Sequence, residues 1–563
     1  MSTEFPLHTR VEDELGASGA PFELVEASVL DVQMQVFKDR DRSLCALLQR
    51  SRAFGDAPYI VQDDRRISFA EHSRAVASTA RALEERYGVR KGDRVAILAA
   101  NCPEWIVTWW ATVSLGAIGV GLNAWWAGDE IRFGIQDAEP RVLVGDARRL
   151  ARLGSERPSL PVIEIESDFD ALWNYAPEAE LSEVEIAEDD PAGILYTSGT
   201  TGRPKGAVHT HRNILAVNRL HMYHGLRLLK IGLETPPPPD APPPPPANCA
   251  LITTPLFHLS GLYTGAVTLL GNGVKTVWLS GRFDPVRVME VIEREQVTSW
   301  GPMGTMFHRV ASHPDLEKYD LSSVRQIGSG GAPFGREGQE RMREVFPNAR
   351  SSMGIGYGLT EATGASTINF GEELRRHPES AGRALPSVEI EIRDPDGKPL
   401  PESAEGDIHL RGPLVMAGYW RRPEETSEVI LEGRWLRTGD IGRLEGGHLY
   451  INSRARDLIL RGGENIYPAE IELRLEAHPA VEEAAVIGVD HPELGQEVKA
   501  IVVPAAGEQL DPEVLRGWVA EALAYFKVPA HWEVRSQPLQ RNAAGKVLKH
   551  LLTGDEASPF IEE

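Results

Sequence analysis

Apolar residues recur three and four positions apart over residues 70–87, which predicts an amphipathic helix, and the run Arg94-Val-Ala-Ile-Leu-Ala that follows suits a short buried strand. The pattern then repeats. Residues 104–115 have helical spacing, residues 117–122 and 141–145 suit strands, and Ala192-Gly-Ile-Leu-Tyr is strand-like again. Such alternation predicts an α/β fold with mostly parallel strands. Further on, residues 212–225 are expected as a helix capped by Thr210, and residues 250–253 as a strand. Near the C-terminus the order changes. Helices over 471–478 and 512–523 and strands over 483–489, 498–503 and 531–535 describe a compact α+β domain of about a hundred residues. Residues 1–40 have weak periodicity and are expected to run over the surface.

A chain of 563 residues is expected to hold more than one domain. It carries 59 Lys and Arg against 82 Asp and Glu, a net charge of −23, which disfavours nucleic acid and anionic lipid as partners. Cys45, Cys102 and Cys249 lie far apart without a CxxC pair, so neither a disulfide framework nor a zinc site is implied. A cytoplasmic setting fits that usage, and no basic, then apolar, signal segment opens the chain. Residues 105–128 lack any charge and are long enough to cross a membrane. Gly116, Gly119, Gly121 and Asn123 interrupt them, which favours a packed helix–strand unit over a transmembrane segment. The proline-rich stretch 235–247 can form neither helix nor central strand. It reads as a solvent-exposed insertion, with an SH3-type ligand as the alternative.

Chemistry concentrates in residues 196–206, Tyr-Thr-Ser-Gly-Thr-Thr-Gly-Arg-Pro-Lys-Gly. Gly199, Gly202 and Gly206 let backbone N–H groups turn toward an anion. Thr197, Ser198, Thr200 and Thr201 add hydroxyl donors, and Lys205 adds one mobile charge. That set suits a polyphosphate. The Walker spacing is absent, and a proline before Lys205 argues against a helix starting there. Neither Ile327-Gly-Ser-Gly-Gly-Ala-Pro nor Gly354-Ile-Gly-Tyr-Gly satisfies GxGxxG, and no GxSxG elbow surrounds Ser329. Tyr357-Gly-Leu-Thr-Glu361 is sharper: an aromatic, a hydroxyl and a carboxylate within five residues can stack a purine, reach a phosphate oxygen and hold magnesium.

The 196–206 run resembles the phosphate loop of the adenylate-forming superfamily of acyl-CoA synthetases, luciferases and peptide-synthetase adenylation domains. The resemblance extends over residues 44–552 through ordered motifs. It implies a large N-terminal domain of α/β subdomains with mostly parallel sheets and a smaller β region, followed by a small mobile α+β domain. Residues 1–40 would be an extension, 41–453 the large domain, 454–457 the hinge and 458–563 the small domain. Gly331, Ala332 and Pro333 would border adenine, with Tyr357 stacking on it. Thr360 would face phosphate and Glu361 would bind magnesium.

Further motifs complete that set. In Trp435-Leu-Arg-Thr-Gly-Asp440, Asp440 would accept from the ribose diol, with an Asx turn as the alternative, and Arg454 would help hold the nucleotide. His258 would gate the acyl pocket, in which Gly330 and Gly356 leave room. It is not expected to act as a base, because the substrate carboxylate is already ionised. Arg456 takes the hinge position where relatives carry Asp or Lys, and Ser453 stands where they carry Gly or Asp; both departures bear on the balance between two conformations. Gly462 and Gly463 would line the channel for coenzyme A. Lys546, in Gln540-Arg-Asn-Ala-Ala-Gly-Lys, would be the catalytic lysine, with a solvated surface lysine as the alternative.

The implied activity is ATP-dependent activation of a carboxylic acid, through acyl-AMP, to the acyl-CoA thioester, with ATP, magnesium and coenzyme A required. The acid is expected to be a medium- or long-chain fatty acid or a bulky alicyclic or sterol side-chain acid. Loading of a carrier protein, a luciferase-like oxygenase and a non-catalytic acyl-adenylate sensor are the competing readings, and a homodimer is left open.

Overall fold

The computed structural model describes residues 4–155, 158–197, 204–234, 248–302, 304–330, 334–454, 457–461, 464–491, 494–542 and 546–552. The helix Phe69–Tyr87 starts at a reciprocal cap: the Ser68 hydroxyl accepts from the Glu71 amide while the Glu71 carboxylate accepts from the Ser68 amide. Gly88, at φ +66°, ends it. It packs against Pro103–Ser114, in which Trp105, Trp109 and Trp110 are fully buried. The uncharged stretch is therefore a core helix feeding the buried strand Ile118–Gly121. Among the described residues no helix is long and apolar enough to cross a membrane.

Among the described residues the chain forms two large sheets, one small sheet and a two-stranded hairpin. In the first, Val162–Glu164, Val142–Gly145, Arg94–Leu98, Ile118–Gly121 and Pro191–Thr197 run parallel. Lys205–Thr210 then folds back antiparallel on Pro191–Thr197 and takes Gly418–Tyr419 on its other edge. The second sheet has a parallel core of Pro58–Gln62, Lys275–Trp278, Cys249–Ile252, Ser299–Trp300, Gln326–Gly330 and Gly354–Leu359. From there it continues through antiparallel strands that include Gly364–Phe370, Leu436–Glu445 and His448–Arg454. Apolar clusters cover both faces of Pro58–Gln62, Lys275–Trp278 and Cys249–Ile252. Residues 459–552 form the small sheet, built on Val481–His491 and Gly495–Pro504, with their own core around Ile471, Leu475, Val486, Val502 and Leu515. This is a mixed α/β molecule with a large N-terminal part and a smaller α+β C-terminal part.

Two local expectations change. Residues 6–37 form the helix Pro6–Gly16 and a hairpin of Leu24–Val29 and Val32–Phe37, and Val11, Leu15, Phe22 and Phe37 are buried rather than laid over the surface. The helix expected over 212–225 spans His211–Glu234. Its start is as expected, with the Asn213 amide donating to Thr210 Oγ1 at 3.1 Å and Asn213 Oδ1 accepting from the Thr210 amide at 2.9 Å. Its end is not at Gly225. Beyond it, Arg227, Lys230 and Glu234 pair with Glu12, Glu14 and Arg10 of the N-terminal helix, and these tertiary contacts override the glycine.

Candidate active site

Lys205 opens a strand, not a helix, and its neighbour across the ladder is Thr197. This places both at the ends of the stretch expected as the phosphate loop. The Lys205 ammonium lies 5.3 Å from the centre of the Tyr419 ring, and the Tyr419 hydroxyl donates to Glu361 Oε1 at 2.8 Å. One tyrosine therefore joins the loop cation to the candidate metal carboxylate. Burial and then the Glu361 charge push the Tyr419 phenol far up, so it stays a donor.

Thr360 and Glu361 sit in a single 3₁₀ turn, Thr360–Ala362, closed by Thr363 in the left-handed region at φ +57°. The Glu361 carbonyl accepts from the Met416 amide at 2.9 Å, and Thr363 Oγ1 donates to the Leu414 carbonyl at 2.6 Å. The turn is pinned on both sides. Glu361 thus presents a carboxylate with one oxygen taken by Tyr419, an arrangement that can hold a hard cation shared with phosphate oxygens and water.

Tyr357 and Asp440 come from strands far apart in sequence and meet: the phenol donates to Asp440 Oδ2 at 2.7 Å, and both residues are buried. The Asp440 amide also donates to Thr438 Oγ1 at 3.1 Å. Asp440 pairs across the ladder with Arg454, of which only the backbone is described. The aromatic and the carboxylate expected at adenine and ribose therefore share one corner.

On the acyl side, Leu251, Trp300 and Ile327 point to one face of the second sheet, into a closed apolar cluster. Strand alternation puts Gly328 and Gly330 on the opposite face, and their ladder partners Gly354 and Gly356 lie beside them. Four side-chain-free positions make a bare backbone floor, the kind of surface a ligand approaches closely. Ser260–Thr268, a π-helix, lies on the same face of the sheet over Cys249–Ile252 and Lys275–Trp278, where Gly265 meets Ile252 and Trp278. The Ala266 carbonyl accepts from Tyr59 Oη at 2.8 Å and Trp110 Nε1 at 3.2 Å.

His258 stands just before this helix. Its Nδ1 accepts from the Ser260 hydroxyl at 2.9 Å, with the Ser260 amide 3.4 Å away. Burial, and then the nearby Lys546 charge, push His258 down to about 4, so the ring is neutral near pH 7. The charge of Lys546, from the small domain, is thus felt at His258, two residues before Ser260–Thr268. Lys546 is presented by a loop in which its amide donates to Asn542 Oδ1 at 2.9 Å and its carbonyl accepts from the Asn542 amide at 2.8 Å. Flanking residues anchor the loop, with Lys549 to Glu472 at 2.7 Å and Arg541 to Glu483 at 3.4 Å. Lys549 is thus tied to the helix Pro468–Glu476.

The structure pairs Thr197 with Lys205, links Lys205 through Tyr419 to Glu361 beside Thr360, joins Tyr357 to Asp440, sets Gly330 against Gly356, and brings the Lys546 charge to bear on His258. Ser198, Gly199, Thr200, Thr201, Gly202, Gly331, Ala332, Pro333, Arg456, Gly462, Gly463 and the proline-rich stretch 235–247 lie outside the described residues. Sequence reasoning missed Tyr419. A lone tyrosine 58 positions from Glu361 carries no local signal, and only the pairing of Ala207 with Tyr419 brings it in.

Comparison with known proteins agrees with this geometry. Residues 47–420 match the family described as AMP-binding enzyme, and residues 470–546 match the AMP-binding enzyme C-terminal domain. The chain is 35% identical to a feruloyl-CoA synthase of Amycolatopsis sp over 508 residues, covering 89% of this chain and 96% of that protein. It is 32% identical to a long-chain-fatty-acid–CoA ligase of Bacillus subtilis, covering 83% and 86%. Among solved structures, o-succinylbenzoate CoA synthetase from Bacillus subtilis, in complex with its acyl-adenylate intermediate, superposes with a TM-score of 0.74 at 31% identity, covering 93% of this chain and all of that one.

Proposed function

Because this chain belongs to the AMP-binding enzyme family of AMP-forming acyl-CoA synthetases, we propose that it joins a carboxylic acid to AMP and then passes the acyl group to coenzyme A. The observation that carries this reading is the link from Lys205 through Tyr419 to Glu361, beside Thr360, with Lys546 of the small domain near enough for its charge to act on His258. In this arrangement the small domain supplies a cation for the first half-reaction.

In that step the substrate carboxylate attacks the α-phosphorus of ATP and pyrophosphate leaves. Protein groups need only hold the reactants in line and meet growing charge. Thr360 and Lys546 face the α-phosphoryl oxygens, Lys205 and the phosphate loop grip the departing pyrophosphate, and Asp440, oriented by Tyr357, accepts from the ribose hydroxyls. Glu361 is the residue that would hold magnesium: Tyr419 takes one of its oxygens, and the other, with no partner among the described residues, suits an ion that keeps water and phosphate ligands. When bound, magnesium neutralises charge on the phosphates. His258, neutral, shapes the acyl entrance and takes no proton.

Acyl-AMP is a mixed anhydride that water would destroy, so closure by the small domain protects it. For the second half-reaction the small domain turns about Arg456. Lys546 withdraws, Gly462 and Gly463 come in to admit pantetheine, the thiol attacks the acyl carbon, and AMP leaves.

The glycine floor supports an acyl group that is slender or flat, so we assign a medium- or long-chain fatty acid. A planar arylpropenoic acid is the second reading, favoured by the resemblance to the feruloyl-CoA synthase. Thioester formation measured across linear acids of graded length, cinnamic-type acids and a sterol side-chain acid decides between them. Preference for the sterol acid would overturn both. AMP release that depends on a carrier protein instead of coenzyme A would replace the ligase by a carrier-loading enzyme.

A further inference from the structure

His209 lies on the strand Lys205–Thr210, is completely buried, and has both ring nitrogens engaged. Nε2 is 2.7 Å from the Thr360 carbonyl oxygen and Nδ1 is 2.9 Å from the Tyr263 hydroxyl. A carbonyl only accepts, so Nε2 carries the proton, and Nδ1 must then accept from the phenol. Burial drives His209 down to about 4, which keeps the ring in this single neutral form across the physiological range. The rings meet edge to face, 5.2 Å apart at 88°.

The approach of the phenol depends on a missing side chain. Gly193 is the cross-strand neighbour of His209, and a Cβ there would stand 2.6 Å from Tyr263 Oη. Tyr263 belongs to the π-helix beside the glycine floor, whereas Thr360 begins the turn that carries Glu361. Three segments distant in sequence are thereby joined in one directional line of hydrogen bonds, from the acyl-side helix through the phosphate strand to the catalytic turn.

We propose that Tyr263 and His209 are positioning residues for Thr360, the carbonyl fixing the Nε2–H tautomer and the phenol, donating to Nδ1, holding the ring in the orientation in which it braces the Thr360 carbonyl and so aims its hydroxyl at the reacting phosphate. This rests on the adenylation reading above. The Thr360 carbonyl also accepts from the Thr363 amide at 2.9 Å, so loss of His209 loosens the turn without abolishing it.

The test compares His209→Leu, His209→Gln, Tyr263→Phe and Gly193→Ala in acid-dependent pyrophosphate exchange and in thioester formation from supplied acyl-AMP. His209→Leu should lower kcat for exchange about 10- to 100-fold with KM for ATP changed less than about threefold, the effect of one lost buried hydrogen bond on the barrier. Its loss in the thioester step should be at least about tenfold smaller. Glutamine keeps a donor for the carbonyl and should recover most of the rate. Tyr263→Phe and Gly193→Ala should each cost a smaller factor and add nothing to His209→Leu. Nitrogen-15 spectra of labelled wild type should show the Nε2–H tautomer of His209, and Tyr263→Phe should shift its Nδ1 signal. If the wild type exchanges pyrophosphate while His209→Leu keeps kcat within twofold, or loses both half-reactions equally, the positioning role is wrong. The same holds if His209 is found as the Nδ1–H tautomer, a readout that stands even where a variant fails to fold. A wild type that exchanges no pyrophosphate sinks the adenylation reading instead.

Discussion

Tyr419 touches two charged groups, with its hydroxyl on Glu361 and its ring under the Lys205 ammonium. Removing the hydroxyl leaves the carboxylate free to turn, so Tyr419→Phe should raise the magnesium concentration for half-maximal exchange by about tenfold, as loss of an outer contact to a metal-bearing carboxylate commonly does. An unchanged magnesium dependence would detach Tyr419 from that role. On the proposed mechanism Lys546 acts on one half-reaction only. Lys546→Ala should cut adenylation by about 100-fold or more, the scale of losing a charge-stabilising group, while thioester formation from supplied acyl-AMP stays within a few-fold. Equal loss in both steps, measured by rapid quench, would rule out alternation of the small domain.

At the scale of elements, much of the molecule can be read from the chain because local pattern and tertiary fate agree. The uncharged stretch from Trp105 is a core helix and strand for the reason its glycines and length imply, and Thr210 caps the helix that follows it. Where contacts come from far away the pattern is silent. Nothing local foretells that Glu12 and Glu14 extend a helix to Glu234, that Ser260–Thr268 winds as a π-helix, or that Tyr419 and His209 meet the Thr360 turn. Two glycines separate these cases experimentally. At Gly261 a Cβ would stand 2.1 Å from the Pro255 carbonyl oxygen, so Gly261→Ala should destabilise by about 1–3 kcal/mol through overpacking. At Gly225, mid-helix with nothing within 4 Å, alanine should stabilise by about 0.5–1 kcal/mol. Urea midpoints give both signs, and a stabilising Gly261→Ala would mean that the π-helix start is not packed as described.

The whole molecule carries a signature of its buried histidines. Burial holds His72 at about 3 and His209 and His221 at about 4; burial, then lesser charge effects, hold His211 and His258 at about 4, against an ordinary 6.5. The unfolded chain takes up protons there that the folded protein refuses, so stability should be full above pH 6.5 and fall as pH drops toward 4. Glu295, bonded to Arg66, and Glu373, whose burial is outweighed by His8 and Arg383, are held at about 2. Their contribution is present above 4.5 and lost below it, so the first loss on acidification belongs to the histidines. His72→Leu should make the fall in thermal midpoint between pH 6.5 and 5 shallower by about one proton; an unchanged slope would place the uptake elsewhere. Above these stands the claim that two lobes build one adenylating cleft. Its most direct measurement is exchange of labelled pyrophosphate into ATP by the purified protein with magnesium and a broad panel of carboxylic acids. The account predicts exchange that needs both an acid and Lys546. Absence of exchange with every acid, or exchange undiminished in Lys546→Ala, would contradict it.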